Sequence, residues 1–197
     1  MASHPDIREV ACQQVLLDDS SVFSVQWLVL PRDLAAEVTP EFLLERYLSY
    51  LRRFTASLVR PQRETERLGF RLLGTRRNLI EFNAPEFVAD GGRRSVILTI
   101  RGGFLVQPDR CDRGRLEFTT EETTEGLRVS LQLSDYCPLL LGSAKPSWVR
   151  RRLYRLTQAA IHKVVTVRFL LVLYRELAGP QACVKVVPAQ VRKGRPT

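Results

Sequence analysis

The stretch that decides the fold is Pro146–Leu177, PSWVRRRLYRLTQAAIHKVVTVRFLLVLYREL. Val149, Leu153, Leu156, Ala160, Val164, Val167, Leu171 and Tyr174 recur in it at steps of three and four. Side chains at that spacing share one face of an α-helix, so the segment predicts one unbroken helix of more than about eight turns. The stripe predicts burial against a sheet, for Leu153, Leu156, Val164, Val167 and Leu171 above all. Arg151, Gln158 and His162 lie opposite the stripe in the first half, and Val165, Phe169, Val172 and Leu173 in the second. A helix apolar all round is buried all round, so this second back needs a cover. The candidates are the helix expected at 40–59, the apolar segment Cys183–Val187, or a second copy of the chain in a homodimer through Val165, Phe169 and Val172. Cys183–Val187 follows at once and can fold back, which favours cover from within the chain.

Working outward, CPLLLGSAKP (137–146) is a direction-changing linker, with Pro138, Gly142 and Pro146. Upstream of it lie short alternating segments. Leu127, Val129, Leu131 and Leu133 point one way and Arg128, Ser130, Gln132 and Ser134 the other, the period of a half-buried strand. The same alternation runs through Arg115–Thr123 and Ser95–Gln107, the latter interrupted by Gly102-Gly103, which predicts a bulge or bend. Asp90-Gly91-Gly92 predicts a hairpin after a strand at 79–88, and Leu68–Leu73 is a further strand. Ser21–Leu30, SVFSVQWLVL, is rich in β-branched and aromatic residues and stops at Pro31. Between them Thr39-Pro40-Glu41 opens a helix at 40–59, with Thr39 as N-cap and Pro40 at its first position, which stops by Pro61. Gly179-Pro180 ends the long helix, and 190–197 reads as a polar, basic tail. One oily face over successive strands predicts a sheet covered on one side, in an α+β chain.

The 197 residues suffice for one domain, 1–197, with its core at about 16–178. Formal net charge is +9, nearly all from arginine, since lysine occurs only at 145, 163, 185 and 193. The arginines are scattered, which predicts weak binding to nucleic acid without sequence preference. Cysteines at 12, 111, 137 and 183 have neither metal-ligand nor redox spacing. The amino terminus lacks a hydrophobic leader and no apolar run is long and uncharged enough to predict a transmembrane segment, so a cytoplasmic protein is expected.

The order strand, helix, about five antiparallel strands, long helix resembles the helix-grip fold of the START and polyketide-cyclase-like (SRPBCC) superfamily, over about residues 16–178. Here one helix replaces the two short ones common after the first strand, and six strands replace seven; a strand within 7–18 could supply the missing one. The resemblance implies a curved antiparallel sheet wrapped around the long terminal helix, enclosing an apolar cavity for a lipid, hormone, polyketide or similar hydrophobic molecule. It also implies a rival, a cyclase- or aromatase-type enzyme using the same cavity. A scaffold with the cavity filled by side chains is the third reading.

A sheet with one oily face that bends and closes on a helix leaves concave space. Its expected lining is Phe70, Leu98, Ile100, Phe104, Phe118, Leu131, Asp135, Thr157, Val164 and Tyr174. Asp135 continues the inward register of Leu127–Leu133 and could orient a polar group, although an Asp before Tyr136-Cys137-Pro138 also suits a turn. Tyr174 and Thr157 would supply directional hydroxyls. His4 and His162 are expected to be poorly placed for a metal or a catalytic centre. The basic run Lys145 and Arg150–Arg155, with Trp148, reads as a solvated face. No phosphate loop or nucleophile elbow occurs. No catalytic residue, metal or cofactor is expected.

Overall fold

A computed structural model describes residues 7–108, 113–142 and 147–196, with the backbone alone at Arg151 and Arg155. His4, Cys111 and Lys145 lie outside the described residues, as do the side chains of Arg151 and Arg155.

β1 (Arg8–Leu16) and β2 (Val22–Leu30) open the chain, followed by α1 (Pro40–Phe54). The meander is β3 (Val59–Glu64), β4 (Arg67–Leu72), β5 (Asn78–Asn83), β6 (Glu86–Asp90), β7 (Arg93–Gly102), β8 (Arg115–Thr123) and β9 (Gly126–Tyr136). Then come α2 (Trp148–Tyr154), a π-helical turn (Arg155–Ala159), α3 (Ala160–Ala178), β10 (Val184–Pro188) and β11 (Arg195–Pro196). Among the described residues the strands form one open sheet in the order β10-β1-β2-β9-β8-β7-β5-β4-β3, with β6 beside β7 and β11 beside β1. The pairing is antiparallel except for β1 with β10. An open, mostly antiparallel sheet with a long carboxy-terminal helix is the α+β, helix-grip arrangement expected.

Several boundaries have local causes. Thr39 caps α1, its hydroxyl accepting from the Phe42 amide at 3.2 Å, a contact worth about 1 kcal/mol. α1 stops at Phe54, before the expected end, because Ala56 and Ser57 turn left-handed (φ 48° and 62°). That frees Val59–Glu64 to form β3 at the sheet's edge, where Pro61 breaks no ladder. The expected strand at 79–88 is two strands, β5 and β6, divided at Ala84-Pro85. With these, the path from β2 to β3 has seven strands, and the strand expected within 7–18 is β1, outside that path. Gly103 (φ 126°) makes the bend after β7, and a Cβ there would lie 2.5 Å from the Leu79 carbonyl oxygen.

The inward faces of β7, β8 and β9 carry Val96, Leu98, Ile100, Leu116, Phe118, Val129 and Leu131, all buried. α1 lies over β7 and β8, and α3 over β1 and β2.

The terminal helix lies the other way up from the expectation. Leu153, Leu156 and Val164 are exposed, Leu156 at 70%, together with Trp148, Val149 and Ile161. The buried face carries Tyr154, Ala159, Val165, Phe169, Leu170 and Leu173. Val167 and Tyr174 are buried and Leu171 is half-buried, because the second half is enclosed on more sides. Being apolar all round, that half does not select a face by hydrophobicity. Aromatic packing sets it: the Phe169 ring lies 5.3 Å from Tyr47 and 5.6 Å from Tyr50, both on α1. The π turn then widens the helix by its i→i+5 spacing and brings Tyr154 into line with this face. Val165 and Phe169, named above for a dimer, are thus covered by α1 within the chain, and Val172 is half-buried. The helix Trp148–Ala178 is long and apolar enough to cross a membrane by length and composition. In the fold its second half is packed on the sheet.

Most of Cys183–Val187 forms β10, alongside β1, and Val184 packs, partly buried, against the main core. The polar, basic tail is docked as well. The Gln13 amide accepts from the Val191 and Arg192 backbone amides, each at 2.8 Å, and donates to the Arg192 carbonyl at 2.6 Å. The Arg192 guanidinium lies 5.2 Å from the Phe23 ring centre, over a small outer cluster of Val15, Phe23 and Val25.

Candidate functional site

The inward register of β9 holds as far as Leu133 and then changes. Val22 pairs with Tyr136 and Ser24 with Leu133, so β9 spends an extra residue there. Asp135 absorbs it with φ 51°, a β-bulge. The bulge turns the strand by one position, and Tyr136, not Asp135, points inward. Its hydroxyl donates to the Leu105 carbonyl at 2.7 Å.

Beside Tyr136 a cavity of about 380 Å³ opens between the sheet and the helices. α1 contributes Tyr47 and Leu51, and β3 to β5 contribute Val59, Phe70, Leu79 and Ile80. The bend after β7 adds Phe104 and Leu105, and the linker adds Leu139 and Leu140. Leu133 and Tyr136 come from β9, and the terminal helix closes the wall with Tyr154, Thr157, Gln158, Ile161, His162 and Val165. The size is that of a small-molecule site. Among the described residues no Asp, Glu, Lys or Arg lines it.

The polar groups in this wall gather on one side. Gln158 Nε2 donates to the Tyr136 hydroxyl and, at 3.3 Å, to the Leu105 carbonyl. A carbonyl can only accept, so the amide nitrogen must face Leu105 and Oε1 is turned the other way. Gln158 Oε1 and His162 Nε2 are both buried atoms without a hydrogen-bond partner, although each residue as a whole is half-buried. Burial at Nε2 pushes the His162 imidazole down to about 4, so it is neutral at pH 7. Burial pushes the Tyr47 and Tyr154 phenols up. Thr157 spends its hydroxyl hydrogen within the helix, on the Leu153 carbonyl at 2.7 Å. The π turn is anchored from behind, where Gln14 Nε2 donates to the Ala159 carbonyl at 3.2 Å.

Comparison with known proteins adds little. No family model and no curated protein matches the chain. Two solved structures align with most of it. The solution NMR structure of CalU16 from Micromonospora echinospora is 14% identical, covers 91% of this chain and 78% of its own, and superposes with a TM-score of 0.35. The crystal structure of CalU16 from the same organism is 11% identical, with 87% and 96% covered and a TM-score of 0.28. Superpositions this loose carry no argument.

Of the expected lining, Phe70, Phe104 and Thr157 are in the wall. Leu98, Ile100, Phe118 and Leu131 are fully buried in the core beneath α1 and do not reach the cavity. Asp135 is carried out of it by the bulge. Val164 is exposed on the far side of the helix, and Tyr174 is buried away from the cavity. Gln158 and His162 were expected on the solvent side and are in the wall. The signal for them was their i, i+4 spacing, which puts two polar side chains on one face of an otherwise apolar helix. Tyr136 could be placed only by knowing the bulge. Among the described residues no three His, Cys, Asp or Glu side chains gather as a metal site would require.

Proposed function

We propose that the chain binds a hydrophobic small molecule, without a covalent bond, in the cavity between sheet and terminal helix. The observation that carries this reading is the cavity: about 380 Å³, walled almost wholly by apolar and aromatic side chains. The resemblance of the element order to the START and polyketide-cyclase-like superfamily supports the same reading. The rival, a cyclase- or aromatase-type enzyme, needs an acid or base poised near neutrality. Among the described residues the wall holds no carboxylate, its titratable groups are tyrosines and His162, and burial moves Tyr47, Tyr154 and His162 away from neutrality. A scaffold with a filled interior is disfavoured by the open volume.

Native mass spectrometry of the purified protein tests the reading. A lipid-like adduct is expected on the wild type, and Thr157→Trp, which narrows the cavity from the helix surface, should remove it while the chain stays folded. A wild type that carries no adduct, and takes none up from a total lipid extract, would overturn the proposal.

A further inference from the structure

The first half of the terminal helix turns oily residues outward, where water gives them no partner. Trp148, Val149, Leu153, Leu156, Ile161 and Val164 are all exposed, Trp148 at 67% and Ile161 at 63%. From Val149 they follow one another at steps of four, three, five and three. The five-residue step spans the π turn, whose i→i+5 spacing keeps the row on one side of the helix. Single exposed apolar residues are ordinary, but a continuous row marks a surface made to be covered.

The charge around the row says what covers it. From Tyr136 to Arg175 the sequence contains eight Lys and Arg and no Asp or Glu. Arg150, Arg152 and Lys163 are exposed beside the row, and among the described residues none of the three is paired with a carboxylate. The Arg152 guanidinium lies 5.5 Å from the Trp148 ring centre, an aromatic and a cation side by side, as suits the level of lipid headgroups. A second copy of the chain would set these cations against their twins with no acid between them. A nucleic acid would answer the charge and leave the aliphatic row against phosphates and water. An anionic bilayer answers both, since the row enters the acyl boundary while the cations stay among the phosphates. The helix then lies on the surface and does not cross it, because its second half is packed on β1 and β2.

An acidic protein could meet the same charge, but the cavity favours lipid. Ile161 and Phe104 are both exposed and both line the cavity, so its mouth opens where the row runs. A bilayer there is also a reservoir of oily molecules. The use of this mouth rests on the proposed ligand-binding reading; the row and its charge do not. We propose that the protein docks on anionic lipid surfaces through the exposed row of its terminal helix, Trp148 to Val164, with the mouth of the cavity against the lipid.

The test is co-sedimentation of the full chain with vesicles of phosphatidylcholine alone and of phosphatidylcholine mixed with an equal part of phosphatidylglycerol. The wild type should bind the anionic vesicles at least about tenfold more tightly than the neutral ones, and added salt should release it. Leu156→Glu should weaken that binding at least about tenfold, and Arg152→Gln about fivefold. Both positions are exposed, so the thermal unfolding of the two variants should match that of the wild type. Phe87→Ser, which alters an exposed apolar residue on β6, should leave binding unchanged. With Trp27→Phe, Trp148 is the remaining tryptophan, and its emission should shift to the blue on anionic vesicles. No binding to the anionic vesicles, or equal binding to both kinds, would overturn the docking surface and leave the adduct expected in native mass spectrometry untouched. Binding that Leu156→Glu leaves intact would overturn it too, because charge alone would then hold the protein. Retention on immobilised poly-glutamate without binding to vesicles would give the row to an acidic protein, and a dimer in light scattering that Leu156→Glu splits would give it to a second copy; either overturns the lipid assignment.

Discussion

Gln158 has its nitrogen committed and its oxygen free, and His162, one turn on, is kept neutral by the burial of Nε2. That neutrality has a consequence for stability. The imidazole's folded-state pKa, about 4, lies below its usual 6.5. As pH falls through 6.5 the unfolded chain takes up a proton that the folded chain refuses. Stability is therefore lost from about pH 6.5 downward and the loss is complete near pH 4, by an amount of order 1–3 kcal/mol. The low end is expected, because the ring is partly reached by solvent. Urea midpoints at pH 7 and pH 5 should drop further for the wild type than for His162→Gln, which has no proton to gain. Identical drops would show that His162 titrates as it does in water.

The elements follow their sequence signals wherever one signal acts alone. The alternation in β8 and β9, the cap at Thr39 and the turn at Gly91-Gly92 were all legible, because each rests on one local preference. The terminal helix was legible as a helix and not as to its face. Leu153, Leu156 and Val164 make the more regular apolar stripe, but Phe169 has an aromatic seat between Tyr47 and Tyr50, and the seat decides. No local pattern announces a partner more than a hundred residues away. The π turn and the bulge at Asp135 were illegible for a related reason, since each adds one residue to a periodic count without a diagnostic residue type. Tyr136 and Tyr154 in the cavity wall were missed through those two shifts. The orientation makes a sharp expectation. Phe169→Ala should cost about 3–5 kcal/mol, whereas Leu156→Ala, on the exposed face, should change stability by about 0.5 kcal/mol or less. Chemical denaturation of both variants checks it, and the reverse order would mean that the sheet is covered by the opposite face of the helix.

Across the whole molecule, β1 lies in the sheet beside the two strands that come last in sequence, β10 and β11. β1 lies between β2 and β10, and its Gln13 side chain holds the backbone at Val191 and Arg192. A chain ending at Ala182 lacks β10, β11 and that clasp. It should leave Val15, Phe23 and Val25 uncovered and expose the edge of β1, so the amides of Arg8–Leu16 should exchange with solvent much faster than in the full chain, while those of β8 and β9 change little. Unchanged protection in β1 would show that the carboxy-terminal segment only decorates the sheet.

That clasp also sets an order of events during synthesis. Residues 8–16 leave the ribosome long before the strand that flanks them, residues 184–188. Until residues 184–196 emerge, β1 can pair only with β2, and its other edge stays open to whatever strand comes near. From the synthesis of β1 until that of β10 and β11 the nascent chain therefore carries one unsatisfied edge, and it becomes safe from wrong pairing there only when those two strands have been made.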